Sequence, residues 1–232
     1  MRLRAFYNLE NPLIPRDYRR GFASLLKAAL QKSNPSLYER WYSVLHVLKP
    51  FTFSIYFPKL SGQEGENFNV GDQAILDFST SSYELGTYLY NGLLMLRTFP
   101  LFSNKLMLSN ISLRRVSVVS KDTVVFKTFS PVLINSKGNP DWYLLPGQDG
   151  FDEGLRFAVR EISRTFLKTE SDSIGFKSIN TNRKVVRHYN INMQGIVGVF
   201  ELHSQPEVLN LIHQIGLGVR RSQGFGMLEI MR

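Results

Sequence analysis

Tyr38, Tyr42 and His46 recur every four residues and Lys49 follows three later, so a helix that reaches His46 stacks two phenols and an imidazole on one face, beside an ammonium group. Those groups can run a metal-free transesterification of a phosphodiester. Histidine moves a proton near neutral pH, and lysine stabilises the charge that grows on the phosphorane. His46, Lys49 and Tyr42 are therefore the candidate catalytic residues, against the plainer alternative that a lone histidine ahead of a strand simply packs. His188, His203 and His213 stand in no metal-ligand spacing and no carboxylate cluster accompanies them, so neither a metal site nor a cofactor is expected. His213 falls on the polar side of its helix and reads as solvated. The chain has no cysteine, which removes thiol nucleophiles, disulfides, iron-sulfur clusters and cysteine-containing zinc sites.

A second concentration of chemistry is Gly216-Leu217-Gly218-Val219-Arg220-Arg221-Ser222-Gln223-Gly224-Phe225-Gly226. A dinucleotide fingerprint needs a strand before it, a helix after it and an acid about twenty residues on. Only six residues follow Gly226, and no Gly-Lys-Ser/Thr is present to make a P-loop. What remains is a loop that presses backbone N–H groups against a polyanion. Gly216, Gly218, Gly224 and Gly226 would allow the close approach, Arg220 and Arg221 would take phosphates, and Ser222 and Gln223 lie between them. A helix C-cap at Gly216 followed by a turn is the alternative, and it accounts for one or two of the glycines.

Residues 173–200 hold Lys177, Arg183, Lys184, Arg187 and His188 but no acid, and with Asn180-Thr181-Asn182 as the turn they read as a basic hairpin able to track a nucleic-acid backbone. A solvated edge hairpin protected by its cations is the bland counterpart. The whole chain carries +9, and the charge is uneven: residues 1–59 have ten Lys/Arg against three Asp/Glu, residues 60–172 have eleven against thirteen, and residues 173–232 have seven against three. The positive field thus belongs to the two ends of the chain, which would form one basic face if they lay side by side. Arg19 and Arg20, on the polar side of the first helix, join the candidate RNA contacts.

These groups need elements to position them, and 232 residues, 43% hydrophobic, supply core for one domain or two small ones. Met1 to Tyr7 alternates as a strand; Tyr18, Phe22, Leu25, Leu26, Ala29 and Leu30 recur at helical spacing from Pro15 onward. Pro35 starts a second helix through Leu45, and Phe51 to Phe57 alternates as a strand. A strand over Phe68–Phe78, a helix from Ser81 or Ser82 to Phe99 and a strand over Ile111–Val119 complete the order βαββαβ, the ferredoxin-like module. The second half repeats that order: strand Val124–Ile134, helix Asp152–Leu167, strands Ile174–Ile179, Lys184–Ile191 and Gly195–Leu202, helix Pro206–Ile215, strand Met227–Met231. The expected fold is α+β, two tandem ferredoxin-like domains over residues 1–120 and 121–232. The longest uncharged apolar run, Leu85 to Leu96, is too short to cross a membrane, and the opening residues lack a signal-peptide core, so a cytoplasmic protein without membrane contact is expected.

Ile14-Pro15 with Tyr18, His46 shortly before Pro50-Phe51-Thr52-Phe53-Ser54, Phe129-Ser130-Pro131-Val132, and Gly216-Leu217-Gly218 through Ser222-Gln223-Gly224-Phe225-Gly226-Met227 together resemble the CRISPR-associated repeat-cleaving endoribonucleases of the repeat-associated RNA-binding (RAMP) superfamily. The resemblance spans nearly the whole chain. It implies tandem ferredoxin-like domains and a metal-independent ribonuclease that cuts within the repeats of a precursor RNA. Attack of a 2′-hydroxyl on the adjacent phosphate would leave a 2′,3′-cyclic phosphate and a 5′-hydroxyl. The histidine that the family places between the first helix and the second strand falls on His46, while Tyr42 is assigned from helical geometry. The alternative within the superfamily is a non-cleaving RNA-binding subunit of a CRISPR effector complex, and the His46 constellation is what separates the two. An unrelated metal-dependent phosphodiesterase is a third class, disfavoured by the missing ligand cluster. The expected partner is CRISPR repeat RNA, with effector-complex subunits or a second copy of the chain as further candidates.

Overall fold

Leu3, Ala5 and Tyr7 are buried, as the alternation at the start of the sequence requires of a strand with one face on a core. The computed structural model describes residues 1–44, 47–171 and 173–231. The first half of the chain forms β1 (Arg2–Leu9), β2 (Leu13–Pro15), α1 (Arg19–Ser33), α2 (Pro35–Tyr42), β3 (Phe51–Tyr56), β4 (Gly62–Glu64), β5 (Asn67–Asn69), β6 (Gln73–Thr80), α3 (Tyr83–Met95), β7 (Thr98–Leu101) and β8 (Asn104–Arg114). The second half forms β9 (Thr123–Thr128), β10 (Ile134–Asn135), β11 (Tyr143–Leu144), α4 (Phe151–Phe166), β12 (Gly175–His188), β13 (Ile191–His203), α5 (Pro206–Ile215) and β14 (Leu228–Ile230).

The main sheets have the same topology. The first runs β3-β6-β1-β8 with β7 added at the edge, and the second runs β12-β13-β9-β14. Counting only the four module strands of each half, both orders are 2-3-1-4, with β1 antiparallel to β6 and β8, and β9 antiparallel to β13 and β14. That is the ferredoxin-like arrangement, twice. Two compact units result: Met1–Lys49 with Ser54–Arg115 and Arg187–Ile191, and Pro50–Phe53 with Val116–Val186 and Asn192–Arg232.

Local signals explain where the helices start. Asn34 Oδ1 accepts from the Leu37 amide at 2.9 Å and Pro35 occupies the first turn of α2. Ser82 Oγ caps α3 by accepting from the Leu85 amide at 3.2 Å. The longer helices bury apolar residues at helical spacing, Phe22, Leu25, Leu26 and Ala29 from α1, Leu155, Val159 and Ile162 from α4, Leu209 and Ile212 from α5, whereas α2 buries only Leu37.

Several expectations change. Helix α2 stops at Tyr42, with Ser43 and Val44 already outside it and Leu45 outside the described residues, and the strand expected over Ile111–Val119 is β8, Asn104–Arg114. Helix α3 stops at Met95, and Pro100 lies in the edge strand β7, where its missing N–H costs no ladder bond. Asn180-Thr181-Asn182 is not a turn: β12 runs through it, and the hairpin turns at Tyr189-Asn190, both at positive φ (48° and 62°), the signature of a type I′ turn. His213 is not solvated but 1% exposed, tilted against the Phe126 ring with Nε2 3.6 Å from Glu229 Oε1. Among the described residues no helix is long and apolar enough to cross a membrane.

Candidate functional site

Helices α1 and α2 fold back on each other about Asn34, so residues at similar distances from that hinge meet. Lys27, seven residues before it, comes to Tyr42, eight after it. The Lys27 ammonium stands 5.2 Å from the centroid of the Tyr42 ring and the Lys49 ammonium 4.7 Å, while Tyr38 stacks on Tyr42 with centroids 5.0 Å apart. One phenol ring thus carries two cations, an arrangement that strengthens as water is excluded. Burial, then the neighbouring Tyr38, pushes the Tyr42 hydroxyl well above the usual tyrosine range, so it stays protonated. Burial, then the like charge of Lys27, holds Lys49 below an ordinary lysine. Of the three candidate catalytic residues the structure brings Tyr42 and Lys49 together; His46 lies outside the described residues. Lys27 is the member that local spacing could not reveal. Its signal was the symmetry of the helical hairpin about Asn34.

The glycine-rich loop has a different construction from the anion cradle expected of it. Val219 N–H donates to Leu133 O, Gly226 N–H to Pro131 O, Leu217 N–H to Gly226 O, Gln223 N–H to Arg220 O and Gly224 N–H to Arg221 O, so these amides are spent inside the protein. All four glycines are buried at positive φ. At Gly218 (φ 82°) a Cβ would stand 2.2 Å from Leu133 O, and at Gly226 (φ 72°) 2.1 Å from Leu217 O. Close backbone packing therefore accounts for Gly216, Gly218 and Gly226. Thr52, from the Phe-Thr-Phe-Ser strand, donates its hydroxyl to Phe225 O at 2.7 Å, joining two of the motifs singled out in the sequence.

The two loop arginines do not act alike. Arg221 is 5% exposed and donates to Ile215 O, the last residue of α5, at 3.0 Å. It neutralises the negative end of that helix, and burial lowers it to about 10, which leaves it charged at neutral pH. This is not the placement of a phosphate ligand, and the expectation for Arg221 is corrected on that ground. Arg220 is half-buried at φ 56°; its Nε donates to the Tyr143 hydroxyl at 2.7 Å and a second nitrogen to Gln223 Oε1 at 3.3 Å. Ser222 and Gln223 are half-buried beside it.

On β12, an edge strand, Lys177, Arg183 and Lys184 are exposed. Strand alternation puts Lys177, Arg183 and Arg187 on one face and Lys184 on the other. Arg187 is half-buried and ion-paired with Glu66. At the turn, His188 is wholly buried, its Nδ1 2.9 Å from Asp17 Oδ1, and Asp17 Oδ2 accepts from the Tyr189 amide at 3.0 Å. Arg20 pairs with the same carboxylate at 3.4 Å, and Arg19 lies over the Tyr18 ring at 4.8 Å. Among the described residues no three His, Cys, Asp or Glu side chains converge to hold a metal.

The family described as CRISPR associated protein Cas6, C-terminal, matches residues 114–230, half of the chain. The chain belongs to the Cas6 family. The matched segment takes in the β12–β13 hairpin and the glycine-rich loop, and it makes this a CRISPR-associated protein of RNA processing or RNA binding. Solved structures agree on the fold. A Cas6-related protein from Pyrococcus furiosus superposes with a TM-score of 0.88 at 20% identity, over 100% of this chain and 98% of that one. A RAMP protein described as binding different RNA substrates gives 0.87 at 18% over the full length of both, and a Cas6 product complex gives 0.73 at 16%, again over both full lengths. The sequence has no significant match among curated proteins. The tandem ferredoxin-like architecture is therefore that of Cas6 and RAMP proteins.

Proposed function

We propose that the protein is a metal-independent endoribonuclease that cleaves CRISPR repeats in precursor RNA. The observation that carries the reading is the Tyr42 ring flanked by the Lys27 and Lys49 ammonium groups, in a Cas6-family chain with His46 between Tyr42 and Lys49 in sequence. The 2′-oxygen attacks the adjacent phosphorus as its proton leaves to a base, the P–O5′ bond breaks, and the 5′-oxygen takes up a proton. The products are a 2′,3′-cyclic phosphate and a 5′-hydroxyl. His46 transfers the proton, Lys49 stabilises the phosphorane, and Tyr42 orients both. Cytoplasmic location and repeat RNA as partner belong to the same proposal.

The test is incubation of the purified protein with its host's repeat RNA in EDTA. The expected product carries a 2′,3′-cyclic phosphate, and His46→Ala loses about 10²- to 10⁴-fold in rate with RNA affinity retained. Wild-type rates in His46→Ala, or cleavage that survives deoxyribose at the cut position, would defeat the mechanism. Binding without any cleavage would instead favour a non-cleaving RNA-binding subunit.

A further inference from the structure

In the first unit a cleft of about 450 Å³ opens along α1, lined by Arg20, Gly21, Ser24, Lys27, Phe102 and Tyr189 among others. Its size falls within the span of about 300–1,000 Å³ typical of small-ligand sites. Two aromatic rings stand at its rim, Phe102 at 38% exposure and Tyr189 at 53%. Both sit at left-handed backbone positions, with φ of 57° and 48°. Bulky residues adopt that region at a cost of about 1 kcal/mol or more, and such strain gathers at functional sites. Glycine or asparagine would close either turn more cheaply; the Tyr189 ring packs edge-on against His188 at 4.6 Å and is still more than half exposed.

The surroundings fix them in place. The Arg20 guanidinium covers the Phe102 ring at 5.1 Å. Gly21 faces the same ring across a gap too narrow for a side chain, since a Cβ there would stand 2.7 Å from Phe102 Cε2. Asp17 ties down both sides of the rim, pairing with Arg20 and accepting from the Tyr189 amide. Lys27 lines the cleft and also lies over Tyr42, so a ligand in the cleft is one side chain from the candidate reaction centre.

Exposed rings for a base, cations for a backbone and no carboxylate among the lining residues are the features of a stacking platform for single-stranded nucleic acid. We infer that this cleft is a subsite for an unpaired nucleotide of the bound RNA, its base against Phe102 and Tyr189 and its phosphates on Arg20 and Lys27, directly beside the cut position. The inference rests on the RNA-cleavage proposal for the identity of the strand, while its test reads binding alone.

The experiment walks 2-aminopurine through the host repeat RNA, with deoxyribose at any position found to be cut, and measures fluorescence and affinity. One or two adjacent positions should be quenched on binding, and a fully paired repeat duplex should not compete for the site. Phe102→Gly and Tyr189→Gly relieve the backbone strain while removing the rings, so loss of folding does not confound them. Each should abolish the quenching and weaken binding about tenfold, the scale of one lost base stack, and Phe102→Tyr and Tyr189→Phe should restore both. Quenching in a wild-type protein that cleaves nothing would overturn the nuclease reading and leave the subsite standing. Cleavage with no quenched position, or wild-type affinity in both glycine variants, would overturn the subsite.

Discussion

At the scale of single residues, neighbours in sequence have separate tasks. Arg221 serves the fold: its buried guanidinium satisfies the end of α5. Arg221→Ala should therefore cost about 1.5–3 kcal/mol in denaturant unfolding, the range for a charged hydrogen bond, with partial recovery in Arg221→Lys. Arg220→Ala should leave stability nearly unchanged. A two-arginine substitution would confuse these effects. Lys49 supplies a pH test. Its ammonium is held below the ordinary lysine range by burial and by Lys27, so it loses its charge earlier as pH rises. Cleavage should fall on the alkaline side sooner than an ordinary lysine would dictate, and Lys27→Gln should move that fall to higher pH in single-turnover assays at saturating protein. A fall that stays where it was would show that Lys49 is not the group titrating. Tyr42 and Lys49 were singled out by helical spacing, but α2 ends at Tyr42 and Lys49 lies outside any helix, so their meeting is owed to the path of the chain beyond the helix and not to that spacing. Lys27 and Asp17 were not singled out, because what brings them in is a helix hinge in one case and a hairpin turn 171 residues away in the other.

At the scale of elements, period-2 alternation located β1 and 3.6-residue periodicity located α1 and α4, because their apolar residues gather on one face, whereas β3 and α5, found by the same patterns, are buried on more than one side. The hairpin turn escaped. Asn180-Thr181-Asn182 has turn chemistry, but its residues are held in a strand paired along β13. Tyr189-Asn190 has no glycine to mark it, and its geometry is secured by the Asp17 carboxylate from the turn ahead of α1. The glycine-rich loop was found, but the backbone crowding of Gly218 and Gly226 against Leu133 and Leu217 cannot be seen in local sequence. The reading of β12 as an RNA track has its own test. Each phosphate contact contributes about one unit to the salt dependence of binding. Lys177→Gln with Arg183→Gln, on one face of the strand, should lower the slope by about two. Arg187→Gln should change it by less than one, because Glu66 already offsets that charge. Equal slopes in all variants would make the strand merely a solvated edge.

At the scale of the whole molecule, element order was enough to read two ferredoxin-like modules, and the sheets bear it out by sharing one strand order. Element order could not reveal that the second unit draws on Pro50–Phe53 as well as on Val116–Val186 and Asn192–Arg232. The hydrogen bond from Thr52 to Phe225 spans 173 positions. On the ribosome that bond therefore waits until Phe225 has been made and has left the exit tunnel, and the second unit cannot close before then. Contacts of such sequence separation also slow folding in free solution, because the loop-closure entropy is paid before the contact returns anything. Pulse-labelling hydrogen exchange during refolding should accordingly find the Leu217 and Gly226 amides protected after those of β1. Simultaneous protection would mean that the tail docks early. During synthesis the nascent chain would hold Thr52 and its strand without their final partner for as long as it takes to add those 173 residues, an interval in which a chaperone, or the RNA itself, could meet the first unit before the second exists.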